Sequence, residues 1–181
     1  MPTIRIIPKK SIVTPLYDFI LPKEQWKVIC QDVWNTIITS TYCGMSYLRA
    51  SERISQFGSQ IGSYFEPLLE DRLQAFGFIR IQGNLEPDFI YPSDRRYDFE
   101  LKTGKGKFPA TNKSTVSGTT RKHKATYMLY VRYINLQLDG VYLGKPEDHH
   151  WNIPVKPSVQ IATLKSEYFY STFVEVYKRK G

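Results

Sequence analysis

The sequence predicts a single α/β chain of the α+β kind, helical in its first half and strand-rich in its second, on three observations. Apolar residues recur every three or four positions from Trp26 through Ile29 and Val33 to Ile37. The same spacing returns through Ile54, Phe57, Ile61, Phe65, Leu68 or Leu69, Leu73 and Phe76. Beyond Gly77 it gives way to short alternating or apolar runs, the period of strands. With 181 residues, 41% of them apolar, the chain has material for one core and one domain over 1–181.

The first helix is expected over Pro22 to Thr39, because proline is tolerated in a first turn. Its apolar stripe needs cover from the core or from a second subunit, so the N-terminal helices, about 22–57, are available for dimerisation. The pattern breaks near Gly44. From Arg49 to Phe76 a second helical stretch contains Pro67, whose missing N–H and ring clash predict a kink or a second helix starting near it. Gly77 supplies the stop. Strands are expected at Phe78–Gln82, Phe89–Tyr91, Arg96–Lys102, Tyr127–Leu138 and Val141–Leu143, with Asp139-Gly140 as a two-residue hairpin turn between the last two. Pro109–Lys124, rich in Thr, Ser, Gly and Lys, reads as a long loop, as does Lys145–Pro157. The Tyr/Phe/Val-rich end from Glu167 to Tyr177 fits strand or helix equally.

Composition narrows the function. No run reaches the roughly 20 apolar residues of a membrane span, and Met1–Lys10 carries charges where a signal peptide needs an apolar centre, so a cytoplasmic protein is expected. Cys30 and Cys43 lack the spacing of a metal site and read as ordinary thiols. The net charge of +8 is concentrated in one stretch: Leu101 to Leu138 has no acid but contains Lys102, Lys105, Lys107, Lys113, Arg121, Lys122, Lys124 and Arg132. The other seventeen basic residues balance the seventeen acidic ones. So confined a cluster points to a phosphate-rich partner, with Thr119-Thr120-Arg121-Lys122-His123-Lys124 offering donors to phosphates and guanine edges.

The chemistry is read from the stretch just before it. In a strand through Arg96–Lys102, alternation sends Tyr97, Phe99 and Leu101 to one face and Asp98, Glu100 and Lys102 to the other. Pro92-Ser93-Asp94-Arg95 is turn-like, so Phe89–Tyr91 folds back as an antiparallel partner. Centring the turn on Asp94 pairs residues whose numbers sum to 188, which sets Asp88 opposite Glu100. Facing residues have Cβ atoms about 5 Å apart, and two carboxylates so placed repel unless a cation lies between them. With Lys102 beside them they suit a hard divalent ion and the hydrolysis of a phosphodiester. Asp98, displaced along the strand, is expected at the surface or behind the site.

Pro87-Asp88, a gap, then Glu100-Leu101-Lys102 resembles the motif of the PD-(D/E)XK nuclease superfamily. Gly62-Ser63-Tyr64-Phe65-Glu66, Leu73, Gly77-Phe78 and Ile81 are similar to the helix and first strand of its junction-resolving members. The resemblance covers roughly Gly62 to Lys107. It implies a restriction-endonuclease-like central mixed sheet flanked by helices, with magnesium held by Asp88 and Glu100 and the attacking water assisted by Lys102. It also implies a helix glutamate, Glu66, completing the site, with Glu70 as substitute because Pro67 follows directly. The basic loop after the lysine strand favours a homodimeric type II restriction endonuclease acting on double-stranded DNA. Its DNA contacts are expected from Lys105, Lys107, Lys113, Arg121, Lys122, His123 and Lys124, Arg121 being the candidate base reader. The alternatives are a structure-specific nuclease such as a Holliday-junction resolvase and a basic DNA-binding protein without catalysis. His149-His150-Trp151 reads as surface, with a metal pair or base-reading loop as the other possibility.

Overall fold

A computed structural model describes residues 19–82, 86–112, 114, 125–156 and 158–180. Two layers flank a six-stranded mixed sheet, an α+β architecture.

Helix α1 (Lys23–Thr39) starts directly after Pro22 and buries Trp26, Ile29, Cys30, Val33, Trp34 and Ile37. That is the predicted stripe, and it is taken up inside the chain, against the helix over Ile61–Leu73 and the sheet. Any use of 22–57 between subunits falls to the outer face, where Val28 and Leu48 are exposed. A small hairpin, β1 (Thr41–Tyr42) and β2 (Met45–Ser46), turns at Cys43 and Gly44, both at positive φ. Helix α2 (Tyr47–Arg53) follows, capped by the Ser46 hydroxyl. The second helical stretch breaks at Gln56, which adopts φ 64°, and resumes as α3 (Ile61–Leu73) after one 3-10 turn. Pro67 therefore lies inside α3 rather than at its start. Gly77, at φ 87°, ends the segment as expected.

The main sheet runs in the order β11-β8-β7-β5-β4-β3. Its strands are β3 (Ile79–Arg80), β4 (Phe89–Ile90), β5 (Phe99–Gly104), β7 (Tyr127–Ile134), β8 (Gln137–Gly144) and β11 (Phe173–Lys178). All neighbours are antiparallel except β5 and β7, which run parallel. A second sheet, order β6-β10-β9, is formed by β6 (Ala110–Asn112), β9 (Trp151–Asn152) and β10 (Ile161–Leu164). Parts of both predicted loops, 109–124 and 145–157, are thus strands. The undecided C-terminal stretch is both alternatives in succession: helix α4 (Ser166–Thr172), then β11.

The two faces of β5 carry different layers. Phe99 and Leu101 join Phe89, Leu129, Val131 and the buried sides of α1 and α3 in the main core. Glu100 and Lys102 point the other way, in register with Met128 and Tyr130. Those two belong to a second apolar cluster with Tyr142, Trp151, Ala162, Leu164, Phe169 and Phe173, beneath the small sheet and α4.

Two expectations need correction. The β7–β8 hairpin turns at Asn135-Leu136, both at positive φ, and Asp139-Gly140 lies within β8. The side chains decide this: Asp139 is paired to Arg132, and a Cβ on Gly140 would come 2.6 Å from the Tyr142 ring, so glycine is needed there for close packing. Strand β5 also begins at Phe99, because Arg95–Tyr97 forms a 3-10 turn capped by the Asp94 carboxylate. No helix among the described residues is long and apolar enough to cross a membrane.

Candidate active site

Phe89 faces Phe99 in the β4–β5 pair. The two numbers sum to 188, the register expected from the turn, and Asp88 and Glu100 are the next positions along this ladder. Pairing stops there because Pro87 has no N–H to continue it. Instead the Asp88 carboxylate reaches across, and its Oδ2 accepts the backbone N–H of Leu101 at 2.9 Å. The side chain thereby satisfies a donor that the departing strand leaves without a ladder partner.

Lys102 closes the group from the same face. Its Nζ donates to Glu100 Oε1 at 2.7 Å and lies 4.0 Å from Asp88 Oδ2. All three side chains are partly buried, with 23% exposure for Asp88, 13% for Glu100 and 24% for Lys102. A half-buried pair of carboxylates requires positive charge nearby, and the ammonium supplies one unit of it. The donor set fits a hard cation: two carboxylates from neighbouring chain segments, oxygen only, with no thiol or imidazole among them.

The Asp98 carboxylate has other partners than this group. The residue is 3% exposed, and its carboxylate accepts the Tyr91 N–H at 2.8 Å and the Arg95 Nε–H at 2.5 Å. Arg95 also pairs with Glu86 at 2.5 Å. Asp98 and Arg95 therefore tie the turn that aligns β4 with β5, a structural role that alternation alone misassigned.

Glu66 and Glu70 project from α3 one turn apart, and both meet Arg80 of β3, at 3.3 Å and 3.5 Å. The arginine offers one guanidinium nitrogen to each. Neither the pairing nor the importance of Arg80 could be read locally, since fourteen residues separate Arg80 from Glu66. Glu66 remains on the helix that packs on β5, where a Cβ on Gly62 would come 2.8 Å from Thr103 Oγ1.

Of the expected DNA contacts, Lys105 and Lys107 are exposed just beyond β5, and the Lys107 ammonium sits 5.5 Å from the Phe108 ring centroid. Lys113, Arg121, Lys122, His123 and Lys124 lie outside the described residues. Arg132, counted in the basic cluster, is instead paired within the fold to Asp139 at 2.5 Å.

Elsewhere, Glu147, His149 and His150 bring potential ligand atoms within 4.8 Å of one another. The Nδ1 of His150 already accepts the Glu147 N–H at 3.0 Å, so the histidine serves to close a capped 3-10 turn. Burial and the neighbouring His149 hold the His150 imidazole below its ordinary value. Trp151 is buried in the second cluster, not displayed for base reading.

Neither the protein-family models nor the curated proteins compared with this chain match it. The functional reading therefore rests on the site itself.

Proposed function

We propose that the chain is a magnesium-dependent endonuclease that hydrolyses phosphodiesters in double-stranded DNA, of the PD-(D/E)XK kind and most similar in plan to a type II restriction endonuclease. One observation carries the reading: the β4–β5 register sets Asp88 beside Glu100, with Lys102 bonded to Glu100 on the same face. The β3-β4-β5 meander followed by a parallel β7 agrees with the mixed sheet that the motif implies.

Asp88 and Glu100 would hold the ion. When bound, magnesium polarises a phosphate oxygen and lowers the pKa of a bound water. The chain's own residues do the rest. Leu101 N–H fixes one oxygen of the Asp88 carboxylate against β5, beside Glu100. Lys102, anchored by Glu100, keeps an ammonium at the position where negative charge develops on the phosphate, and it orients the attacking water. Glu66, which shares Arg80 with Glu70, is the helix glutamate that the motif would add to the ion's ligands. The proposed enzyme acts as a homodimer, because two-fold protein symmetry matches a palindromic site.

The test is a digest of plasmid and phage DNA with magnesium, beside Asp88→Asn and Glu100→Gln. Discrete fragments from wild type alone support the restriction reading. Cleavage confined to branched junctions replaces it with a resolvase, and retardation without cutting by any form replaces it with a non-catalytic binder.

A further inference from the structure

We infer that Gly104–Lys107 is a preformed phosphate-binding turn, held in place by the Tyr130 hydroxyl, that seats backbone phosphates flanking the one placed at Asp88 and Glu100. The inference rests on the nuclease reading and adds a subsite to it.

The turn follows β5 without a break and alternates glycine with lysine: Gly104-Lys105-Gly106-Lys107. Packing is tight at Gly106, where a Cβ would come 3.1 Å from the Phe108 carbonyl oxygen, while one on Gly104 would make ordinary contact, 3.5 Å from the Tyr130 hydroxyl. Tyr130 stands beside Lys102 in the β5–β7 pair, is 2% exposed, and donates its O–H to the Gly106 carbonyl at 2.6 Å. Burial pushes that hydroxyl up to about 12, so it stays a donor throughout the working pH range.

The Lys105 side chain packs on a separate element: its ammonium lies so near Gly58, whose carbonyl accepts the Tyr133 hydroxyl, that a Cβ there would come 3.2 Å from it. Lys107 is drawn over the Phe108 face. Two exposed ammonium groups are thus set on a braced backbone rather than on free-swinging loop. No acid follows before Asp139.

Spacing suits the backbone of a nucleic acid. Lys105 lies three residues beyond Lys102 and one past the end of β5, at most about 10 Å along the backbone. DNA advances about 3.4 Å per nucleotide of one strand, so the turn meets phosphates within roughly three nucleotides of the scissile one. The contacts are to phosphate and carry no sequence preference.

The probe is a fluorescein-labelled random-sequence DNA duplex, titrated with the full chain in calcium at several salt concentrations, with circular dichroism and thermal melts as controls. Lys105→Ala and Lys107→Ala should each lower the slope of log affinity against log salt by about 0.9. Tyr130→Phe should lower both affinity and slope, and should add nothing in the Lys105→Ala/Lys107→Ala background. A lysine double variant with the wild-type slope overturns the subsite. A Tyr130→Phe effect of equal size in that double background, or a lowered melting temperature with unchanged slope, overturns the positioning role. Magnesium digests run in parallel separate the two ideas: wild-type cleavage with an unaltered slope sinks the subsite alone, whereas a wild type that neither binds nor cuts sinks the nuclease reading with it.

Discussion

Phe89 stacks on Phe99 across the β4–β5 pair, ring centroids 4.6 Å apart and planes within 5° of parallel. This aromatic pair locks the register that brings Asp88 to Glu100, so the core and the candidate site share one device. A one-residue slip of β4 against β5 would turn Asp88 to the face opposite Glu100.

Phe99 is 1% exposed and also meets Trp26 and Phe78 edge-on at 5.5 Å and 5.6 Å. Truncation to alanine should cost about 3–5 kcal/mol of stability. Urea denaturation of Phe99→Ala and Phe99→Leu checks this: the alanine variant should unfold at markedly lower urea, with leucine between it and wild type. Equal midpoints for wild type and Phe99→Ala would show that this stack does not hold the ladder.

At Asp88 two roles can be separated. Asparagine keeps an oxygen to accept the Leu101 N–H, whereas alanine leaves that partly buried donor without it, at a cost of about 1–3 kcal/mol. Asp88→Asn should therefore melt near wild type yet lose magnesium-dependent cleavage, and Asp88→Ala should lose both. Cleavage retained by Asp88→Asn would falsify the assignment of Asp88 to the ion.

The β4–β5 register was legible because Pro92-Ser93-Asp94-Arg95 marks a turn and the apolar alternation fixes which faces meet. Asp98 was not legible, since a 3-10 turn consumes Arg95–Tyr97 and shifts the start of the strand past them. The Asp139-Gly140 signal misled for another reason: tertiary partners, Arg132 for the aspartate and the Tyr142 ring for the glycine, claim both residues. Arg80 shows the general limit. Its two glutamates come from a helix, and only the packing of α3 on the sheet brings them together.

That bridge gives a third expectation. Glu66→Gln should slow cleavage or alter its metal requirement, while Glu70→Gln should do so less. Either change leaves Arg80 one carboxylate, so both variants should remain folded. Cleavage rates over a magnesium titration decide between them. The reverse ranking would assign the site to Glu70.

His150 supplies a pH test of stability. Its folded-state value is depressed, by burial first and by His149 next, with Lys165 adding to the effect and Glu147 opposing it. The unfolded chain therefore takes up this proton first as pH falls. The contribution to stability is whole above the ordinary value of 6.5, and is lost as pH drops through 6.5 toward the lower folded value. Thermal melts between pH 8 and pH 5, a window of roughly the span over which histidine titrates, should show a steeper fall for wild type than for His150→Gln. Identical slopes would remove His150 from the account.

The seating of α3 on β5 can be tested at Gly62. Helix propensity alone favours alanine over glycine by roughly 0.5–1 kcal/mol. The structure predicts the opposite sign here, because the added Cβ would stand 2.8 Å from Thr103 Oγ1 and force the helix or the strand to shift. The next nearest atoms, Thr103 Cβ and Cγ2, are at 3.9 Å and 4.0 Å, which is ordinary contact. Gly62→Ala should therefore destabilise the protein and, by displacing α3 and with it Glu66, slow cleavage. Adding Thr103→Ala removes the clashing oxygen, so Gly62→Ala/Thr103→Ala should be at least as stable as Thr103→Ala alone and should recover the rate lost in the glycine variant. A double-mutant cycle in melting temperature and cleavage rate reads both effects at once. Strictly additive changes would mean that Gly62 and Thr103 do not touch, and that the helix carrying Glu66 is seated on β5 by other contacts.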